Sequence, residues 1–65
     1  MSADFILADH GSIWLLAPIS TAAREWAEQH IDQNAAMFGR SIAVEPRYIA
    51  DIADGIVEAG LTIGR

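Results

Sequence analysis

The feature that most constrains the fold is a pair of apolar runs near the start of the chain, each of strand length. The runs 5–8 and 13–17 flank the polar segment 9–12, which contains a glycine. This arrangement predicts a β-hairpin whose two-residue turn is formed by His10 and Gly11. The opposed pairs would be Ala8 with Ile13, Leu7 with Trp14, Ile6 with Leu15 and Phe5 with Leu16.

Both faces of this hairpin are apolar. Opposed side chains share a face, and successive side chains alternate between faces. One face therefore carries Ile6, Ala8, Ile13 and Leu15, and the other carries Phe5, Leu7, Trp14 and Leu16. A strand that faces water on one side alternates apolar and polar residues. We therefore expect both hairpin faces to be covered.

Two segments show helical spacing. The first begins at an N-cap, Ser20 or Thr21, and runs to Asp32, before a break at Gln33-Asn34. Its apolar stripe is Ala22, Ala23, Trp26, Ala27 and Ile31. The second begins at Glu45-Pro46, because proline is favoured at the first helical position. Its stripe is Ile49, Ile52, Ala53 and Ile56.

Two glycines of the second helix have separate meanings. Gly60 suits the residue after the helix end, where a left-handed conformation is common. Gly55 lies within the helix, where glycine is unfavourable by about 0.5–1 kcal/mol relative to alanine. We therefore expect a neighbouring element to pack closely against Gly55.

The fold class predicted from these segments is α+β. Short strands at 41–44 and 61–63 complete the order β-β-α-β-α-β within a single domain, residues 1–65. The predicted architecture has two layers, a four-stranded mixed sheet with two helices on one face. A chain of 65 residues buries only about 60% of the surface that it exposes when unfolded. Small domains often gain further stability from disulfides, metals or oligomerisation.

Composition excludes several classes of function. The chain has no cysteine, so it has neither disulfides nor thiolate metal sites. Its net charge is −5, from nine carboxylates and four scattered arginines. Binding to nucleic acids or anionic membranes depends on basic residues, so neither partner is expected. No apolar run approaches the roughly 20 residues of a membrane span, and we expect a cytoplasmic protein without a cofactor.

The apolar hairpin predicts a protein partner. Two helices can cover one sheet face, and a large exposed apolar patch usually marks an interaction surface. The simplest partner is a second copy of the chain, giving a homodimer, and another protein is the alternative. The larger, aromatic face formed by Phe5, Leu7, Trp14 and Leu16 is the predicted protein interface. The opposite interpretation, in which this set packs under the alanine-rich helices, stays open.

No residue pattern indicates catalysis. A metal site usually needs three or four ligands, and the two histidines supply no such set: His10 suits a turn, and His30 suits a helix boundary. Asp51, Asp54 and Glu58 line one side of the second helix, as carboxylates of a solvated face commonly do. No serine lies in a nucleophile elbow, and no glycine pattern matches a phosphate loop. The chain is therefore predicted not to be an enzyme.

Two alternative functions remain. In the first, the carboxylates of Asp51, Asp54 and Glu58 form an acidic contact face, so that the protein acts as a decoy for a basic nucleic-acid-binding protein. In the second, a small-molecule or catalytic site lies at a dimer seam and uses His10, Arg47 and Tyr48. Residue type alone supports that seam site.

Several short motifs together resemble a family. They are Gly11-Ser12-Ile13 with Leu15-Leu16 and Pro18, Ala22-Ala23-Arg24-Glu25-Trp26, Phe38-Gly39, Val44-Glu45-Pro46-Arg47-Tyr48-Ile49 and Gly60-Leu61. Read from about residue 9 onward, the chain resembles a group of small uncharacterised proteins of bacteria and their phages. The resemblance implies a bacterial or phage source. The group has no assigned activity, so the resemblance implies no site residue.

Overall fold

The computed structural model describes residues 3–31 and 36–65, which form two helices and one mixed sheet. The strands are β1 (Phe5–Asp9), β2 (Trp14–Pro18), β3 (Met37–Phe38), β4 (Ser41–Val44) and β5 (Ile63–Gly64). The helices are α1 (Thr21–His30), between β2 and β3, and α2 (Pro46–Glu58), between β4 and β5. The predicted α+β class with two helices is confirmed.

The sheet has five strands rather than the predicted four, in the order β3-β4-β2-β1-β5. All neighbouring strands are antiparallel except β1 and β5, which are parallel. The additional strand is β3, which pairs with β4 through Phe38 and Ser41. Gly39 makes this pairing possible: it occupies the first position of a two-residue turn at φ 61°, and glycine adopts that conformation without strain.

The register of the first hairpin differs from the prediction by two residues. Asp9 opposes Trp14, and Leu7 opposes Leu16, so the loop is longer than a two-residue turn. The Asp9 carboxylate accepts a hydrogen bond from the Gly11 N–H at 2.8 Å, which holds the chain in a turn beyond the strand end. A shift of one residue would exchange the two faces, whereas this shift of two keeps every side chain on its predicted face.

Local sequence signals set the helix ends. Ser20 caps α1, because its hydroxyl accepts a hydrogen bond from the Ala23 N–H at 3.0 Å. Helix α1 ends at His30, and the predicted break at 33–34 lies outside the described residues. Helix α2 starts at Pro46 as predicted and ends at Glu58, and Gly60, with φ 82°, lies just beyond the C-cap residue Ala59. The Leu61 N–H donates to the Ile56 carbonyl at 3.1 Å, as in a Schellman cap.

One carboxylate joins three elements at the start of the sheet. Asp4 accepts hydrogen bonds from the Ser20 hydroxyl at 2.7 Å and from the Thr62 N–H at 2.9 Å. The Asp4 carbonyl also accepts from the Ile19 N–H at 2.7 Å. The beginning of β1 is thereby fixed to the N-cap of α1 and to the segment that leads into β5.

The hydrophobic core lies between the helices and one face of the sheet. Its buried members are Phe5, Leu16, Ala23, Ala27, Ile42, Val44 and Ile56. The strand pairings place all four sheet members of this set on the same face, here called the covered face. Within the described ranges, neither helix is long and apolar enough to cross a membrane.

Candidate interaction surface

The face predicted to contact a partner is the covered face. Phe5 is 0% exposed and Leu16 is 1% exposed in the single chain, and both belong to the core. Leu7 and Trp14 lie on the same face and are partly buried. Phe5 and Leu16 therefore have no surface left to offer to a partner, and most of the face chosen from the sequence belongs to the core of the single chain. A contact of Leu7 and Trp14 with a partner stays a prediction.

The size of the helix residues explains why this face is covered. Ala23 and Ala27 are buried on α1, and their small side chains leave room for large ones from the sheet. Phe5 occupies part of this room, with its ring edge-on to Trp26 at a centroid distance of 5.9 Å. Bulky sheet residues and small helix residues thus fill one close-packed layer. This arrangement corresponds to the alternative interpretation, in which the aromatic set packs under the alanine-rich helices.

The other side of the sheet, here called the open face, is apolar, and neither of the two described helices covers it. It carries Ile6, Ala8, Leu15, Ala17, Phe38, Ser41, Ala43 and Gly64. None of these residues is fully buried, and Phe38 is 61% exposed. Ser41 is the one polar residue, and no member carries a charge. The predicted second apolar face therefore exists, but it consists of the residues not chosen from the sequence.

Large and small side chains are unevenly distributed over the open face. Ala17 and Ala43 lie near its centre, on β2 and β4, and Phe38 projects from the edge strand β3. At the opposite edge, a Cβ added to Gly64 would stand 3.3 Å from Cδ1 of Ile6. The Ile6 side chain therefore lies against the Gly64 backbone. Side chains at that edge of the sheet project less far than Phe38 does at the opposite edge.

The predicted acidic contact face is exposed on α2. Asp51, Asp54 and Glu58 all have exposed side chains, on the side of the helix away from Ile56, which is buried in the core. This placement agrees with an ordinary solvated face and equally with an acidic contact. The decoy hypothesis stays a prediction.

The three residues of the hypothetical seam site have separate surroundings. Arg47 donates to the Glu45 carboxylate at 2.8 Å, and its guanidinium lies 4.8 Å from the centre of the Tyr48 ring. His10 lies in the loop of the first hairpin, where its backbone N–H donates to the Ile13 carbonyl at 3.0 Å. Arg47 and Tyr48 contact each other, but no described contact joins His10 to them.

His30 has a structural environment at the end of α1. Its ring stacks on Trp26 at a centroid distance of 4.6 Å, and its Nδ1 lies 3.0 Å from the Trp26 carbonyl oxygen. This is the helix-boundary position expected from the sequence. In residues 3–31 and 36–65, no three histidine or carboxylate side chains are grouped closely enough to hold a metal ion.

Two of the surface clefts between elements are lined by described residues. One, of about 510 Å³, lies between the end of α1, β4 and α2, and includes His30, Tyr48 and Asp51. We assign no ligand to it. The other, of about 450 Å³, is lined by Pro18, Arg24, Met37, Gly39 and Arg40. Sequence reasoning identified neither, because each combines residues that are distant along the chain.

Comparison of the chain with protein-family models, with curated proteins and with solved structures finds no match. The resemblance to small bacterial and phage proteins, with the source that it implies, stays a prediction. The cytoplasmic compartment stays a prediction as well. The conclusions that follow rest on the geometry of the described residues.

Proposed function

We propose that this protein is a non-enzymatic interaction module that self-associates through the open face of its sheet. The observation that carries the proposal is the composition of that face: seven apolar residues and one serine, with no charge. Contiguous apolar surface of this kind is uncommon on monomeric proteins and usually marks an interaction site.

Charge distribution favours a second copy as the partner. The chain carries a net charge of −5, so two copies repel each other wherever their carboxylates approach. The open face carries no carboxylate, whereas Asp51, Asp54 and Glu58 are exposed on α2, in the layer beyond the covered face. Face-to-face packing of two sheets therefore buries apolar surface and keeps the charged helices on the outside of the dimer.

The shape of the open face suggests how two copies would dock. Two sheets pack face to face with their strands roughly aligned, about 10 Å apart. A two-fold axis along β2, the central strand, would place Phe38 of each copy over the Ile6–Gly64 edge of the other. Leu15 and Ala17, the open-face residues of β2, would then each face the same residue of the other copy. A symmetric, self-complementary contact of this type closes at two copies.

The size of the face sets the expected affinity. Strands about 4.8 Å apart, with about 3.4 Å per residue, give a face of roughly 300–400 Å² per copy for strands of this length. Such an area lies at the low end for specific interfaces, where association is weak and transient. We therefore expect a weak dimer that is populated at high protein concentration.

Sedimentation of the wild type and two matched variants tests this proposal. Phe38 is 61% exposed on the open face, and Val57 is 64% exposed on α2. Phe38→Asp should abolish concentration-dependent dimerisation, because it places a carboxylate in the apolar contact. Val57→Asp adds the same charge at similar exposure and should dimerise as the wild type does.

A third variant and a fold control complete the experiment. Leu15→Gln changes the centre of the open face and should also weaken dimerisation, and circular dichroism should show all three variants folded. A wild type that stays monomeric at millimolar concentration would overturn the proposal. Dissociation by Val57→Asp and not by Phe38→Asp would place the contact on α2 instead.

A further inference from the structure

The smaller cleft brings together two of the four arginines of this acidic chain. Arg24 lies in the first turns of α1, and Arg40 lies in the turn between β3 and β4. Both line a cavity of about 450 Å³. They are 16 positions apart in the sequence (40 − 24), so the sequence alone does not show that both line one cleft.

Arg24 and Arg40 are the charged residues among the described residues that line this cleft, and these include no aspartate or glutamate. The ion pair that the described residues form joins Arg47 and Glu45, and neither Arg24 nor Arg40 is paired with a described carboxylate. Like charges on two residues of one cleft repel each other.

The positive charge of the cleft comes from its arginines and not from the end of α1. The N-terminus of a helix carries a partial positive charge and favours anions there. At the N-cap of α1 this anion is the Asp4 carboxylate, which accepts from the Ser20 hydroxyl at 2.7 Å, and neither residue lines the cleft. A ligand in the cleft would therefore contact Arg24 and Arg40 and not the helix terminus.

The remaining lining residues are apolar or small. Pro18 and Met37 form part of the wall, and Gly39 adds backbone without a side chain. Met37 opposes Ile42 and so projects toward the covered side of the sheet, whereas Phe38 projects into the open face. The cleft is therefore on the helix side of the sheet and is separate from the proposed dimer contact.

We propose that this cleft binds a small organic anion in which a carboxylate or phosphate group is attached to an apolar body. Arg24 and Arg40 would bind the oxyanion, because a guanidinium presents paired N–H donors that match carboxylate and phosphate oxygens. Pro18 and Met37 would contact the apolar part. The volume of the cleft lies within the range of small-molecule sites, about 300–1,000 Å³.

Titration with three probes at low salt tests the proposal by NMR chemical shifts. Phenyl phosphate and benzoate combine an oxyanion with an apolar ring, and inorganic phosphate has no apolar part. We expect both aromatic probes to shift the amides of Arg24, Gly39 and Arg40 saturably, and inorganic phosphate to bind at least about fivefold more weakly. The probe that binds more tightly distinguishes a carboxylate ligand from a phosphate ligand.

Arginine variants identify the groups that bind. Arg24→Gln and Arg40→Gln should each weaken binding by roughly tenfold or more, since each removes a charge-assisted contact. Arg47→Gln is the matched control, because it removes one arginine that is paired with Glu45 and lies outside the cleft. Without ligand, Arg40→Gln should melt no lower than the wild type, because it relieves repulsion.

The outcomes separate this inference from the proposed self-association. The titration is repeated on Phe38→Asp, in which the dimer contact is removed and the cleft is retained. Unchanged binding there supports a site within one chain. Equal effects of Arg47→Gln and Arg40→Gln, equal binding of inorganic phosphate and phenyl phosphate, or no saturable shifts at about 10 mM probe would each overturn the proposal.

Discussion

The indole ring of Trp26 on α1 occupies the space that a side chain at Gly55 on α2 would need. A Cβ added to Gly55 would stand 3.1 Å from Cζ2 of Trp26 and 3.7 Å from its Cη2. The ring itself is held from two sides, edge-on by Phe5 and face-on by His30. A glycine within α2 is thus required by close packing against α1, as its position in the sequence suggested.

Gly55→Ala should lower the free energy of unfolding by about 1 kcal/mol, although alanine is the better helix former by about that amount. The added methyl group requires the Trp26 ring, which is packed between Phe5 and His30, to shift by a few tenths of an ångström. Chemical denaturation measures the change. In a Trp26→Phe background, where the shorter ring leaves space, the same Gly55→Ala substitution should stabilise the protein. Stabilisation of the wild type by Gly55→Ala would contradict this account.

Two adjacent leucines of β2 distinguish the two sheet faces. Leu16 is 1% exposed in the core, and Leu15 lies on the open face. Leu16→Ala should lower the free energy of unfolding by about 2–4 kcal/mol, because it leaves a cavity. Leu15→Ala, measured at a concentration where the protein is monomeric, should lower it by less than about 1 kcal/mol. Equal losses would mean that both faces are covered within one chain.

The hydrogen bonds to Asp4 should make stability depend on acid pH. Donation from Ser20 is the main cause that holds the pKa of the Asp4 carboxyl below its ordinary value of 3.8, and donation from the Thr62 backbone adds to it. A group whose pKa is lower in the folded state stabilises the protein above its unfolded pKa. That contribution is lost as the pH falls from about 4 through the lowered folded pKa.

Asp4→Asn should therefore melt at a lower temperature than the wild type at neutral pH, and the difference should shrink as the pH falls below about 4. Melting followed by circular dichroism between neutral pH and about pH 2 measures this. Thr62→Val, which removes one of the donors, should give a smaller change in the same direction. A difference between Asp4→Asn and wild type that is constant with pH would exclude the ionised carboxylate as the cause.

The turn at Gly39 should control the edge strand β3. Gly39 has φ 61°, a conformation that costs other residues about 1 kcal/mol or more. Gly39→Ala should therefore loosen the β3–β4 hairpin without unfolding the core. The local measurement is amide exchange of Ala43, whose N–H donates to the Ala36 carbonyl at 2.8 Å. Arg40→Ala is the matched control, because it changes the other residue of the same turn, which has no positive φ, and it should accelerate exchange less.

The elements whose signals are local can be predicted from the residues alone. Helix ends are marked by three residues, Pro46, Ser20 and Gly60. Each acts through its own chemistry: Pro46 has no backbone N–H, the Ser20 hydroxyl caps α1, and Gly60 adopts a positive φ. The alternation within β1 and β2 assigned each side chain to its correct face even though the register was two residues off. Strand β3 was missed because two residues and a turn carry too little pattern to distinguish a strand from a loop.

Which sheet face is covered and which is open depends on tertiary packing. Both faces are apolar, so periodicity could not rank them; the choice depended on the volume that Ala23 and Ala27 leave for Phe5 and Leu16. The approach of Arg24 to Arg40 across 16 positions likewise follows from the path of α1 over the sheet. Complementary volume and long-range proximity are properties of the packed chain, and neither can be read from the order of its residues.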